Sequence, residues 1–277
     1  MENNLKNILI KHGFSFNKSF GQNFLTDKNL LSEIVEKAGV TENDTVLEIG
    51  CGAGVLTEVL AGRAKKVVGY EIDKRLKPVL SEVLSEKTNV EINYKDVLKE
   101  NFTELEEKLG DNYIVVANLP YYITTEILTL FLEKSKKVKA LAVMVQKEVA
   151  ERLSAIPGTS EYGAITVAVN LRGNAKIIVE VKREKFTPIP NVDSAVVLIT
   201  IEKDKFNGVD LSLVRKAVKC GFGNRRKMLV NNLMQSYKLS REKAEQVLNG
   251  AGIDVTCRGE TLSAEQYVEL TEVLSRV

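Results

Sequence analysis

Short apolar runs rich in valine and isoleucine alternate with stretches of helical spacing through the first half of the chain. Thr45-Val46-Leu47-Glu48-Ile49 reads as a strand, and Val67-Val68-Gly69-Tyr70-Glu71 as the next. Between them Val55, Leu56, Val59 and Leu60 recur at the spacing of one helix face. Val90-Glu91-Ile92-Asn93-Tyr94 follows a helical stretch of Leu, Val, Glu and Lys. Then come the run from Tyr113 to Ala117 and the stronger run Ala140-Leu141-Ala142-Val143-Met144-Val145. Strands that alternate with helices predict βαβ units and a mostly parallel sheet.

The pattern changes after about Lys176. Ile177 to Val181 and Ala195 to Ile201 are strand-like with no helix between them, which predicts an antiparallel pair at the sheet edge. Beyond Lys203 the strands stop. Leu211 to Cys220 is helical, and Ser240 precedes a helix that ends near Gly250. Ser263 and Gln266 make a capping box, with Leu262 and Tyr267 as its staple, and Tyr267, Leu270, Val273, Leu274 and Val277 share one face. A small all-helical domain is therefore expected after the α/β sheet domain.

Composition narrows the chemistry. The 277 residues, 44% of them hydrophobic, suffice for one large domain and a small one. No apolar run reaches the length of a membrane span, and the N-terminus lacks an apolar signal core, so a soluble cytoplasmic protein with no membrane association is expected. The three cysteines, Cys51, Cys220 and Cys257, are too far apart for a zinc site or a disulfide framework. With His12 as the single histidine, neither a histidine base nor a His-rich metal site is expected. A net charge of +2 does not by itself announce a nucleic-acid binder.

Glu48-Ile49-Gly50-Cys51-Gly52-Ala53-Gly54 follows the first strand and opens a helix. Glycines there permit a tight turn and close approach of backbone to ligand. A dinucleotide fingerprint needs glycine at position 55, which is Val55. An acid beside the loop opposes a pyrophosphate but suits a cationic sulfonium. Glu71, followed by Ile72, ends the second strand about 20 residues on, where an acid can accept from a ribose diol. Asp96, followed by Val97, ends the third and can accept from an adenine amino group. Each acid alone is equally an exposed strand-end charge; the three features in register favour S-adenosylmethionine.

The fourth strand runs into Asn118-Leu119-Pro120-Tyr121. At the carboxyl edge of a parallel sheet, Asn118 offers an amide oxygen and Leu119 a carbonyl, Pro120 fixes the turn, and Tyr121 offers a face for a base. Two acceptors on one exocyclic amine can localise its delocalised lone pair, so methylation of adenine N6 needs no strong base. An ordinary turn remains the other reading of the tetrapeptide by itself. No Pro-Cys pair occurs, which disfavours C5-cytosine methylation. Phe186, in Phe186-Thr187-Pro188-Ile189-Pro190-Asn191-Val192-Asp193-Ser194, suits either the second face of an extruded adenine or a core position in an edge hairpin.

Five segments together resemble the ribosomal RNA adenine N6,N6-dimethyltransferases: Lys18 to Leu25, Glu48 to Gly54, Asn118 to Tyr122, Phe186 to Ser194, and Gly223-Asn224-Arg225-Arg226-Lys227 with Arg258 to Leu262. Pro157-Gly158 before Tyr162-Gly163 also fits, and the resemblance spans nearly the whole chain. It implies a Rossmann-like class I methyltransferase sheet in residues 1–203, with 1–30 as an N-terminal lid segment, and a helical RNA-binding domain in 204–277. It implies that Gln22, Asn23, Leu25, Glu48, Gly50, Gly52, Gly54, Glu71, Ile72, Asp96, Val97 and Asn118 hold S-adenosylmethionine and leave S-adenosylhomocysteine as product, without a metal. Asn118, Leu119, Pro120, Tyr121 and Phe186 would form the catalytic set. Gln22 and Asn23 taken alone read as a turn before a helix at Leu30.

The resemblance is greatest to the small-subunit enzymes, which implies dimethylation of two adjacent adenosines near the 3′ end of 16S rRNA, within a small-subunit precursor, by a monomer. Arg215, Lys216, Lys219, Arg225, Arg226 and Lys227 crowd one window without an acid among them, and Lys147 and Arg152 extend the basic set. A solvated helix face is the other reading of that run. A large-subunit resistance methyltransferase and an assembly factor that binds without methylating are the competing functions. One departure from the family pattern stands out: Arg258-Gly259-Glu260 has glycine where proline or alanine is expected.

Overall fold

The computed structural model describes residues 2–16, 22–203 and 205–277. Lys18, Ser19, Phe20 and Gly21 of the N-terminal segment thus lie outside the described residues. Among the described residues the strands are β1 (Phe24–Leu25), β2 (Thr45–Ile49), β3 (Lys66–Tyr70), β4 (Val90–Asn93), β5 (Ile114–Asn118), β6 (Ala140–Gln146), β7 (Gly173–Val181), β8 (Phe186–Thr187) and β9 (Ser194–Ile201). The helices are α1 (Glu2–Lys11), α2 (Lys28–Lys37), α3 (Val55–Ala61), α4 (Lys77–Val83), α5 (Phe102–Leu109), α6 (Thr124–Lys134), α7 (Lys147–Leu153), α8 (Ala164–Asn170), α9 (Leu211–Gly223), α10 (Leu229–Tyr237), α11 (Arg241–Gly250) and α12 (Ala264–Leu274).

A seven-stranded sheet has the order β4-β3-β2-β5-β6-β9-β7. Strands β2 to β6 pair in parallel, β9 runs antiparallel to β6, and β7 lies beyond β9 at the edge. The parallel strands are continuous β-branched runs because helices cover both of their faces. Alternate residues point to one side: Val46, Ile114, Val116, Ala140, Ala142, Met144, Val196 and Leu198 share a core with Leu31, Ile34 and Val35 of α2 and Leu56 and Leu60 of α3. The chain moves outward from β2 through β3 to β4, then returns to start β5 on the other side of β2. The carboxyl ends of β2 and β5 therefore flank the point where the strand order reverses, the place where ligands bind such sheets.

The chain divides into two compact units, Met1–Ala150 with Lys176–Ile201, and Glu151–Ala175 with Glu202–Val277. Residues 151–175, which the sequence division leaves with the sheet, belong to the second unit. Tyr162 shows why: it is fully buried among α9, α10 and α12 residues, and its hydroxyl donates to the Leu262 carbonyl at 2.9 Å. The capping box at Ser263 and Gln266 forms as the pattern predicts.

Three sequence segments converge in the second unit. The Gly158 amide donates to the Glu260 carbonyl at 2.9 Å, and Arg225 Nε donates to Glu260 Oε2 at 2.7 Å. Gly259 lies directly on the backbone of Gly221 in α9: a Cβ there would stand 2.7 Å from the Gly221 Cα. The glycine that departs from the family pattern is thus matched by a second glycine opposite, with the Tyr267 hydroxyl donating to the Gly259 carbonyl at 2.9 Å. Because the obstacle is backbone, Gly259→Ala is expected to destabilise this unit by about 1–3 kcal/mol. Thermal unfolding of the variant checks this, and an unchanged midpoint would show that the two backbones part at little cost.

Candidate active site

A cavity of about 520 Å³ opens at the carboxyl ends of β2, β3, β4 and β5. The loop after β2 forms its floor. Gly50, Gly52 and Gly54 have φ of 78°, 54° and 84°, left-handed values that only glycine adopts readily. A Cβ on Gly52 would stand 3.1 Å from the Phe24 ring, so the bare glycine lets Phe24 pack onto the loop.

Glu71 fastens the loop to β3. It is 5% exposed, and its Oε2 accepts the Gly52 amide at 2.8 Å while Oε1 accepts the Asp73 amide at 2.7 Å. Burial raises its pKa against those amide bonds. Asp73 carries the link onward: its Oδ2 accepts Gln22 Nε2 at 2.8 Å, and Arg75 grips both carboxylate oxygens at 2.9 and 2.6 Å. The Arg75 guanidinium beside it, helped by Gln22, holds the Asp73 carboxyl below the usual range. Arg75 also lies 5.5 Å from the centre of the Phe14 ring, which stacks on Phe24. Asp96 follows β4, and its Oδ1 accepts the Leu98 amide at 3.1 Å.

On the opposite wall, Asn118 ends β5. Its Nδ2 donates to the Asn23 carbonyl at 3.2 Å, so Oδ1 is the side-chain atom left to accept from a ligand. The turn after it is tied through Pro120, whose carbonyl accepts the Ile123 amide at 3.1 Å and the Thr124 hydroxyl at 3.4 Å. The Leu119 side chain is buried, which fixes the backbone that carries its carbonyl. Tyr121 is half-buried and its hydroxyl lies 2.9 Å from Ser194 Oγ at the start of β9. The ring is thereby held at its far edge, while Tyr122 is 64% exposed at the rim.

Glu48 differs from these acids. It points to the same side of β2 as Val46, under α3, and is fully buried at the cavity wall. Neither of its oxygens has a hydrogen-bond partner among the described residues. Burial pushes its carboxyl up to about 8; the nearby Thr57 and Cys51 side chains oppose that shift without making bonds of normal geometry, and Glu71 adds to it. Burial therefore favours the neutral form of Glu48 while no cation lies beside it.

Of the expected cofactor residues, Gln22, Asn23, Leu25, Glu48, Gly50, Gly52, Glu71, Ile72, Asp96, Val97 and Asn118 line this one cavity, as do Leu119, Pro120 and Tyr121. Gly54 stands behind it, where a Cβ would meet Leu80 at 2.9 Å; it serves the packing of the loop on α4. Phe186 is corrected: it does not line the cavity but is 2% exposed in the sheet core, with Leu25 opposite it in the antiparallel pairing of β1 with β8. Of its two readings, the core position is the one found. Gln22 and Asn23, read as a turn, have no regular structure and lead directly into β1, which pairs with β8. Phe24 and Tyr122 lie in segments that carry the resemblance but have no assigned role, and Asp73, two residues beyond Glu71, has no local signal of its bond to Gln22.

The expected RNA-contacting residues lie outside the cavity. Lys147 pairs with Glu180 at 3.1 Å in the first unit. In the second, Arg152 is exposed, Arg225 is committed to Glu260 and to the Ser160 carbonyl at 3.1 Å, and Arg226 and Lys227 are exposed in the turn after α9.

The donor set fits a cationic nucleoside such as S-adenosylmethionine. The cradle is made of glycines at positive φ, two strand-end acids face it, and an unpaired buried carboxyl stands ready for a positive charge. Among the described residues, Glu48, Glu71, Asp96 and Glu126 line the cavity against Lys95 and Lys99. Among the described residues no group of three or more His, Cys, Asp or Glu could hold a metal, and no helix is long and apolar enough to cross a membrane.

Comparison with known proteins identifies relatives of the whole chain. The chain is 46% identical to ribosomal RNA small subunit methyltransferase A of Bacillus licheniformis, over 98% of this chain and 96% of that one. It is 45% identical to the protein of the same name from Anoxybacillus flavithermus, over 97% and 94%. Among solved structures, the 23S rRNA methyltransferase ErmE superposes with a TM-score of 0.71 at 29% identity, covering 91% of this chain and all 100% of that one. A dimethyladenosine transferase from Plasmodium falciparum shares the fold with a TM-score of 0.79 at 24% identity, covering 91% and 98%. Residues 13–276 match the sequence model of ribosomal RNA adenine dimethylases, and the chain belongs to that family.

Proposed function

We propose that this chain transfers methyl groups from S-adenosylmethionine to N6 of adenosines in small-subunit ribosomal RNA, giving N6,N6-dimethyladenosine. The observation that carries the reading is the meeting of Asn118-Leu119-Pro120-Tyr121 with Glu71 and Asp96 around one cavity. Two adjacent adenosines near the 3′ end of 16S rRNA, in a small-subunit precursor, are the proposed targets. The protein is proposed to act as a cytoplasmic monomer.

When bound, S-adenosylmethionine supplies an electrophilic methyl carbon on a positively charged sulfur. Glu71, held by the Gly52 and Asp73 amides, retains lone pairs for ribose hydroxyls. Asp96 accepts from the adenine amino group of the cofactor. Asn118 Oδ1 and the Leu119 carbonyl accept the two hydrogens of the target amine, which turns its lone pair toward the methyl carbon. They also stabilise the positive charge that grows on that nitrogen. Most of the remaining acceleration comes from alignment. Tyr121, pinned through Ser194, gives the target base a platform that does not swing.

Arg226 and Lys227 are the proposed phosphate contacts of the second unit, with Lys147 and Arg152 secondary and Arg225 mainly a tie to Glu260. The Arg226→Ala, Lys227→Ala double variant is expected to flatten the salt dependence of binding to small subunits. The slope should fall by roughly 0.7–0.9 per lost contact. An unchanged slope would remove this turn from the interface. The choice of RNA is tested by offering small and large subunits separately; methylation confined to the large one would favour the function that ErmE bears in its name.

A further inference from the structure

The other buried acids among the described residues have hydrogen-bond partners. Glu106 is 6% exposed and accepts from the Tyr113 and Ser135 hydroxyls and the Lys137 amide. Glu71 accepts two amides. Glu48 alone among these three is fully buried with both oxygens unpartnered, and it lines the cavity. A bare buried carboxylate is costly, and the cost is avoided either by a proton or by a counter-charge.

Among the described residues, the groups that face Glu48 supply no counter-charge. From the glycine loop comes the Cys51 thiol, whose own pKa is raised by burial and by Glu48 and Glu71. From α3 comes Thr57, itself buried with an unpartnered hydroxyl. Just after β3 comes Glu71, and in register beside Glu48 stand Gly69 of β3 and Val116 of β5. Asp73 and Tyr94 stand near Glu71, and Tyr70, Lys95, Asp96, Lys99 and Glu126 lie further round the cavity. Among the described residues no lysine or arginine contributes to the shift at Glu48, and burial pushes its carboxyl up to about 8, which favours the protonated form at neutral pH.

We propose that Glu48 matches its charge to that of the bound cofactor: it is a neutral acid in the cofactor-free protein, ionises when a sulfonium enters the cavity, and recovers a proton once the sulfonium has become a thioether. The balance is simple. One O–H bond of Glu48 breaks as the cation arrives, the proton passes to buffer through the cavity, and the carboxylate is the counter-ion. With an uncharged thioether ligand the O–H bond stays intact. The site therefore senses the one charge that distinguishes methyl donor from demethylated product. The inference rests on the S-adenosylmethionine reading above.

Calorimetric titration of the full chain with S-adenosylmethionine and with S-adenosylhomocysteine, at pH 7 in two buffers of different ionisation enthalpy, counts the protons exchanged. Wild type is expected to release close to one more proton with the first ligand than with the second. The ratio of the two affinities should rise about tenfold between pH 6 and pH 7 and level off above the Glu48 pKa of about 8. In Glu48→Gln the difference should vanish, and subtracting that variant removes the titration of the ligands themselves. Equal proton release by both ligands in wild type would overturn the proposal, and this comparison stands even if the variant folds poorly. Equal release in wild type and a folded variant would overturn it too. Should both ligands bind without that difference, the charge-matching idea falls and the cofactor reading stands; should neither bind, both fall.

Discussion

Asn118→Ala should lower kcat for adenine methylation by about 10²–10³-fold while S-adenosylmethionine still binds. The expected size is that of removing one pre-positioned group that meets a developing charge, about 3–4 kcal/mol. Asn118 is fixed from two directions, by its place at the end of β5 beside Met144 of β6 and by its bond to the Asn23 carbonyl. Alanine deletes the side-chain acceptor and leaves only the Leu119 carbonyl for two N–H groups. Because Glu71, Asp96 and the glycine loop remain, cofactor affinity should change by less than about tenfold. Single-turnover methylation and equilibrium binding, measured side by side, separate the two effects. A variant that methylates normally would move catalysis away from this residue.

The second large effect concerns stability and pH. Glu48 has a folded-state carboxyl pKa of about 8, against 4.5 for the free side chain. The folded chain therefore holds a proton that the unfolded chain has released across that window. The sign follows: the stability contributed by the neutral acid is complete below the lower value and is lost as pH rises through the upper one. With a group fully buried, the loss between pH 5 and pH 9 is as much as ~4 kcal/mol. Glu71, also raised by burial, acts in the same direction. Glu48→Gln has no proton to lose, so the cofactor-free variant should weaken far less than wild type over the same range. Denaturant unfolding at pH 6 and pH 9 checks this, and parallel losses in the two proteins would contradict it.

The parts of the site that the sequence makes legible are those set by local rules. Strand ends follow from apolar runs, and functional residues of parallel sheets sit at those ends, so Gly50, Glu71, Asp96 and Asn118 could be placed before the fold was seen. Acid-x-Gly-x-Gly-x-Gly separates a sulfonium loop from a pyrophosphate loop by a single missing glycine at Val55. What stayed hidden depends on distant partners. Phe186 is an aromatic beside two prolines in sequence, and only the pairing of Leu25 with Phe186 turns it into a core residue. Gln22 meets Asp73 across 51 positions, and no periodicity marks such a bond. Tyr162 likewise reveals its allegiance only through Leu262, 100 positions on. The fit of Gly259 against the backbone of Gly221 is also not marked by any local pattern. The charge state of Glu48 is hidden for a related reason: the letter gives an acid, but burial and the ligand decide whether it is an anion.

The most direct test of the central claim is to weigh the nucleosides. Small ribosomal subunits lacking the modification are incubated with the protein and S-adenosylmethionine, and the digested RNA is analysed by mass spectrometry. The account predicts N6,N6-dimethyladenosine in the small-subunit RNA, reduced to traces when Asn118→Ala replaces the wild type. Small-subunit RNA without any methylated adenosine, under conditions where the protein binds the particle, would contradict it.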